Sequence, residues 1–265
     1  MESLPVVILC GGLGTRLREE TEFRPKPMVE IGGRPLLWHI MKIYAHYGHT
    51  DFILCLGYKA EVIKGYFLNY EAMNDDFSLQ LGLPNSIQFH GNQLERGWRV
   101  TLADTGLQAQ TGARVKRIEK YVTADSFMLT YGDGVADINI DELVHFHERH
   151  GKIGTVTGVR PPSRFGELMT DSESVVGFSE KPQTSQGFIN GGFFVFHRRF
   201  FEYLSADDGC VMEETPLERL ARDGELMMYS HTGFWQCMDT PRDLQRLQEI
   251  WQVGTAPWRV WDRGH

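Results

Sequence analysis

The sequence predicts an α/β fold, a mostly parallel sheet covered by helices on both faces. Three observations carry this. Apolar runs of strand length recur at 6–10, 52–57, 127–131 and 154–159. Stretches of helical periodicity separate them, the alternation of βαβ units whose crossovers bury both faces of a sheet. Glycines follow two of these runs directly, at Gly11-Gly12 and at Gly132, and parallel sheets bind ligands beyond the C-terminal ends of their strands.

Each element follows from its residues. The run 6–10 is wholly apolar and reads as the first strand. In PLLWHIMKIYAHYG, Leu36, Leu37, Ile40, Met41, Tyr44 and Tyr47 recur at helical spacing. Pro35 suits the first turn of that helix and Gly48 its C-terminal cap. FILCLG (52–57) is the second strand and 59–70 the second helix. The interval 71–112 is polar with weak periodicity, and reads as an excursion over the ligand face rather than a separate domain. FMLTY (127–131) is a fully apolar strand, followed by a helix near 140–150 and the strand GTVTGV (154–159). From about 160 to 240, the short β-like segments VVGFSEK, GGFFVFH and LMMYSH mix with one helix near 213–223. The tail carries Trp251, Trp258 and Trp261, which suit either packing on their own subunit or an interface between subunits, where tryptophan is enriched.

Composition bounds the function. The 265 residues, 42% of them hydrophobic, suffice for one large core, so a single domain over 1–265 is expected. A net charge of −8 supplies no global basic field for nucleic acid. An anionic metabolite would then have to be held by local positive groups. Cys10, Cys55, Cys210 and Cys237 show no CxxC spacing and suit a reducing cytosol. No segment approaches the ~18 uninterrupted apolar residues of a membrane span, and the N-terminus lacks the basic flank of a signal peptide. A cytoplasmic protein is expected. HFHERH (145–150) reads as a solvated helix face rather than a zinc site, because only His147 and His150 lie one turn apart.

The strongest chemical signal is VVILCGGLGTRLREETEFRPKP (6–27). Gly11, Gly12 and Gly14 let backbone N–H groups approach a phosphate closely. Thr15 offers a hydroxyl and Arg16 a bidentate cation. Lys26 stands between Pro25 and Pro27, which restrict its backbone. Together they form a cradle for a polyphosphate. The dinucleotide pattern GxGxxG fails at Leu17, which argues against a nicotinamide oxidoreductase, and a Walker loop is absent. Asp133, at a strand end between glycines, suits either a hard cation or an ordinary turn. Thr240, Pro241 and Asp243 already form a capping box, which leaves Asp239 free for another task. Glu180 and Lys181 read alone as a surface ion pair, and 190–192 (NGG) as a turn.

GGLGTRL (11–17) and PKPM (25–28) resemble the signature of the sugar nucleotidyltransferases. EIGGRPLLWHIMKIY (30–44), YGDGVAD (131–137), RFG (164–166), EKP (180–182), INGGFFVF (189–196) and GFWQCMDT (233–240) resemble their glucose-1-phosphate cytidylyltransferase branch. The likeness spans nearly the whole chain in motif order and departs from the family at Cys10, where alanine is usual. It implies a Rossmann-like, mixed and mostly parallel sheet of the nucleotide-diphospho-sugar transferase type. It also implies Mg²⁺-dependent synthesis of CDP-glucose and pyrophosphate from CTP and glucose 1-phosphate, for deoxysugar and surface-polysaccharide synthesis.

The residue roles it implies run along the chain. Arg16 and Lys26 are catalytic. Leu9, Gly11, Gly12, Gly14, Thr15, Arg16, Lys26, Thr105, Thr111, Arg114 and Gly132 bind the nucleotide, with Arg114 foremost for the base. Asp133 and Asp239 hold the metal. Gly166, Glu180, Lys181, Asn190 and Gly191 take the sugar phosphate. The nucleotide part is then roughly 1–135, the sugar-phosphate part roughly 136–240, and the terminal helix and tail 241–265. The family also implies a homo-oligomer. The competing readings are another base or sugar (a UDP- or dTDP-sugar pyrophosphorylase) and a non-catalytic subunit that senses nucleotide sugars.

Overall fold

The computed structural model describes residues 3–91, 95–160, 167–171, 174–179 and 187–262. β1 (Val6–Leu9) ends at the glycine loop, which passes through a 3₁₀ turn at Thr15–Leu17 and the short α1 (Arg18–Thr21) into a second 3₁₀ turn at Lys26–Met28. A small hairpin of β2 (Glu30–Ile31) and β3 (Arg34–Pro35) leads into α2 (Leu36–His46), β4 (Asp51–Leu56), α3 (Ala60–Leu68) and α4 (Tyr70–Asn74). A second hairpin, β5 (Phe77–Ser78) with β6 (Gln88–Phe89), precedes β7 (Arg99–Asp104), α5 (Thr111–Arg117) and β8 (Ser126–Tyr131). Next come β9 (Gly134–Ala136), α6 (Ile140–His150), β10 (Gly154–Val159) and the paired β11 (Glu167–Asp171) and β12 (Ser174–Ser179). β13 (Ile189–Asn190), β14 (Phe194–His197), α7 (Thr215–Arg222), β15 (Leu226–His231), β16 (Trp235–Cys237) and α8 (Pro241–Gln252) complete the chain.

The main sheet runs β13-β10-β14-β8-β1-β4-β7, with β15 on the other edge of β10. β8, β1, β4 and β7 are mutually parallel, whereas β14 runs antiparallel to both β8 and β10. The sheet is therefore mixed and mostly parallel, as expected. Alternation explains why its central strands are apolar throughout. Val6 and Ile8 face the core built with α2, while Val7 and Leu9 face the one that holds Val115 of α5 and Phe200. Each such buried side chain contributes roughly 1.5–3 kcal/mol. The N-terminal ends of α2 and α8 also match expectation: Pro35 precedes α2, and Thr240 and Asp243 exchange the two bonds of a capping box.

Two expectations need correction. The interval 71–112 contains a main-sheet strand, β7, and the start of α5. β7 is the sheet edge and is only partly covered, with Arg99 and Asp104 exposed, so its sequence stays polar and hides the strand. Second, HFHERH is solvated only in part: His145, Glu148 and Arg149 are exposed, but His147 is not. His147 is buried, and its Nδ1 and the Nε2 of His150 both meet the Thr155 hydroxyl, at 2.9 and 2.7 Å. Burial first, then the neighbouring His150 and His197, pushes His147 down to about 4. Of the two packings open for the tail tryptophans, packing on their own chain is seen. Trp258 is fully buried, and Trp251, Trp258 and Trp261 all contact His39 of α2.

Candidate active site

A cavity of about 290 Å³ opens where β1 and β8 end. Leu9, Gly11, Gly12, Gly14, Thr15 and Arg16 form one side. Lys26, Gly132, Asp133 and Asp239 form another, and Thr111 with Arg114 closes it from α5. Of the interval 71–112, only its end reaches the ligand face, through Ala109, Gln110 and Thr111; none of residues 71–104 lines the cavity. The sequence reasoning missed Ala109, Gln110 and Tyr131, which also line it.

The loop takes this path because its glycines permit it. Gly14 lies at φ +63°, where a side chain is strained, and a Cβ there would sit 2.7 Å from Thr21 Cγ2. A Cβ on Gly11 would fall 2.2 Å from Arg114 Nη1. The Thr21 hydroxyl donates to the Gly14 carbonyl at 3.1 Å, and the Tyr58 amide donates to Gly11 O at 3.2 Å.

Lys26 is the electrostatic centre. Its Nζ donates to Asp133 Oδ2 at 2.7 Å and also to Asp239 Oδ1. Arg16, largely exposed, reaches Asp239 Oδ2 at 3.1 Å. A short antiparallel pairing makes this convergence possible. β9 and β16 set Gly134 opposite Cys237, and the Met238 amide donates to Asp133 O at 2.8 Å. The capping box fixes Asp243, whose Oδ2 also accepts from the Asp239 amide at 3.1 Å. Asp239 is thereby held at the mouth of α8. Burial alone would pull the Lys26 ammonium down, but the Asp133 charge and the bonds to both carboxylates outweigh it. The net shift is upward from 10.5, so Lys26 is cationic throughout the physiological range.

A glycine cradle at a strand end thus faces two cations, Lys26 and Arg16, and two carboxylates gathered on Lys26. The sequence profile of the nucleotidyl transferase family covers residues 5–249. A glucose-1-phosphate cytidylyltransferase of Salmonella typhi is 48% identical over 98% of this chain and 100% of its own length. The chain belongs to the nucleotidyl transferase family, among the glucose-1-phosphate cytidylyltransferases. Solved structures share its fold at lower identity. HddC from Yersinia pseudotuberculosis superposes with a TM-score of 0.66 at 24% identity, covering 94% of this chain and 99% of the other. The inositol-1-phosphate CTP transferase of T. maritima gives 0.65 at 15%, covering 99% and 97%.

In this transferase, Arg114 has a different environment from the one expected of a base-reading side chain. It is buried, and its terminal nitrogens donate to the carbonyls of Leu56, Gly106, Gly11 and Leu107 at 3.0, 2.8, 3.0 and 3.3 Å, and to the Thr105 hydroxyl at 2.9 Å. Thr105 in turn donates to Leu56 O at 2.6 Å and does not line the cavity. Both side chains direct their bonds inward. They tie the glycine loop to the ends of β4 and β7, and Arg114 also lines the cavity. Thr111 is likewise engaged: its hydroxyl donates to Glu213 Oε2 at 2.5 Å and accepts from the Met212 amide at 2.9 Å.

On the other flank, Asn190 is exposed. Its Nδ2 donates to the Tyr131 hydroxyl at 3.0 Å, and its Oδ1 accepts from the Gly192 amide at 2.9 Å. Gly191 packs tightly, since a Cβ there would meet Val159 Cγ1 at 2.5 Å, and its carbonyl accepts from Trp235 Nε1 at 2.8 Å. Gly166, Glu180 and Lys181 lie outside the described residues. Among the described residues no helix is long and apolar enough to cross a membrane, and no group of three or more His, Cys, Asp or Glu could hold a metal ion.

Proposed function

We propose that this chain transfers a cytidylyl group from CTP to glucose 1-phosphate, giving CDP-glucose and pyrophosphate. The observation that carries the reading is the ion cluster of Lys26, Arg16, Asp133 and Asp239 at the open end of the glycine loop. An oxygen of the sugar phosphate forms a bond to the α-phosphorus as the bond to the β-phosphate oxygen breaks, and pyrophosphate leaves with that electron pair. The attacking phosphate, with a second pKa of about 6, is already a nucleophile at neutral pH, so no side chain must take its proton. The protein's task is to bring two anions together and to stabilise the charge that develops.

The loop amides and Arg16 hold the β- and γ-phosphates in this reading. Lys26, largely shielded from water, faces the α-phosphate and the incoming oxygen. Asn190 and Gly191 contribute to the sugar-phosphate side, together with Glu180 and Lys181. Asp133 and Asp239 fit a hard divalent cation: two carboxylates already meet around one positive charge, the Lys26 ammonium, and too few protein oxygens surround them to exclude substrate ligands. Magnesium held there would neutralise phosphate charge and orient the α-phosphate. In this reading the nucleotide part, roughly 1–135, supplies Arg16, Lys26 and Asp133, and the sugar-phosphate part, roughly 136–240, supplies Asp239.

The decisive experiment is pyrophosphate release with each of the common nucleoside triphosphates and several sugar 1-phosphates, with and without MgCl₂. Release that requires CTP, glucose 1-phosphate and magnesium is expected. Faster release with UTP or dTTP would replace the base assignment, and no release with any pair would leave the sensor reading in its place.

A further inference from the structure

A carboxylate outside the cavity lining joins its two flanks. Glu213 stands just before α7, at the end of a segment packed on the start of α5. There the Gln110 amide donates to Asp208 O at 2.8 Å and the Ala113 amide to Cys210 O at 3.1 Å. Glu213 Oε2 accepts from Thr111, and its Oε1 accepts from the Tyr131 hydroxyl at 2.6 Å. Tyr131 in turn accepts from Asn190. Every proton in this chain is donated toward Glu213: Asn190 to Tyr131 to Oε1, and Thr111 to Oε2. Burial first, then the Glu213 charge, raises the Tyr131 pKa, so Tyr131 keeps the proton that it donates.

The direction of these bonds has a chemical consequence. A tyrosine hydroxyl has one hydrogen. While Glu213 takes it, Tyr131 presents only a lone pair to Asn190, and the amide must turn its NH₂ inward. Asn190 Oδ1 is then placed on the Gly192 amide, and one Nδ2 hydrogen is left for a ligand. If Tyr131 lost its acceptor it could donate to Asn190 instead. The amide could then flip, giving up the Gly192 bond and presenting the wrong polarity to an anion.

We propose that Glu213 is a positioning residue that fixes the Asn190 amide through Tyr131 while anchoring Thr111, so that one carboxylate sets the geometry of the sugar-phosphate and nucleotide flanks together. This rests on the proposed cytidylyl transfer, and turnover by the wild-type enzyme tests that reading separately. The test is steady-state kinetics on Glu213→Gln, Tyr131→Phe, Asn190→Ala and the double variant E213Q/N190A. Gln keeps the volume but replaces one acceptor with a donor. KM for glucose 1-phosphate should rise roughly 5- to 10-fold in both E213Q and Y131F, the worth of about one hydrogen bond. KM for CTP should rise by less, and kcat should change least. In the N190A background, E213Q should add no further rise in the sugar-phosphate KM. Thermal melting identifies any variant that fails to fold, and Y131F, which leaves the carboxylate in place, tests the relay if E213Q does so. The proposal is overturned if the E213Q and N190A effects on that KM simply multiply, or if Y131F leaves it unchanged.

Discussion

Replacing Lys26 with methionine removes the charge at the centre of the cluster and keeps most of the side-chain volume. In the wild type, two cations, Arg16 and Lys26, balance two carboxylates. The variant leaves Asp133 and Asp239 facing one another with only Arg16, whose side chain is 71% exposed and well screened. A unit charge about 4 Å from a phosphoryl oxygen is worth about 4 kcal/mol at an effective dielectric of 20, near a thousandfold in rate. Removing a preorganised donor to developing negative charge costs ~10²–10³ in kcat, and the two estimates agree. The Lys26→Met enzyme should therefore fold and bind CTP with a modestly raised KM, while kcat falls at least a hundredfold. Added magnesium should not restore it, because the lost charge lies on the protein. The assay is coupled pyrophosphate release at saturating substrates, with thermal melting to confirm folding. A folded variant retaining more than a tenth of wild-type kcat would remove Lys26 from the transition state and undo the reasoning.

Other outcomes follow from the same geometry. Arg114→Lys abandons the carbonyls of Gly11, Leu56, Gly106 and Leu107; urea denaturation should show a loss of ~2–4 kcal/mol, with a raised KM for CTP. Gly11→Ala drives a methyl into the Arg114 guanidinium, so KM for CTP should rise tenfold or more, and adding it to Arg114→Ala should cost little further. Acid should destabilise the protein before its carboxylates protonate. Burial holds both His39 and His147 at about 4, against 6.5 when unfolded. The unfolded chain therefore binds more protons between those values, and the stability is complete above pH 6.5 and lost as pH falls toward 4. Each histidine accounts for about 3 kcal/mol over that window. His147→Gln should flatten the pH dependence of urea stability by about that amount, and an unchanged slope would contradict the assignment.

The limits of sequence reading here have a physical pattern. Local signals survived intact: the apolar runs of β1 and β8, the Pro35 start of α2, the Thr240–Asp243 box and the glycine loop depend on neighbours in sequence. β7 was lost because an edge strand has one covered flank and little need for apolar residues. His147 looked like surface because its partner, Thr155, lies on a strand, where a hydroxyl carries no helical periodicity.

The cluster itself was legible as residue types but not as a meeting place. Lys26 lies 107 positions from Asp133 and 213 from Asp239, and what joins them is the three-residue pairing of β9 with β16, too short to stand out in the sequence. Arg114 shows a different limit. The sequence marked it for the nucleotide, and the structure places it in the cavity lining with its terminal nitrogens bonded to the surrounding carbonyls and the Thr105 hydroxyl. A buried arginine that supports a loop and one that reads a base leave the same letter. Only the direction of its hydrogen bonds separates them, and that direction is set by where β4 and β7 end. Glu213 was silent for a related reason, since its two partners come from β8 and α5 and nothing within α7 requires a carboxylate at that position.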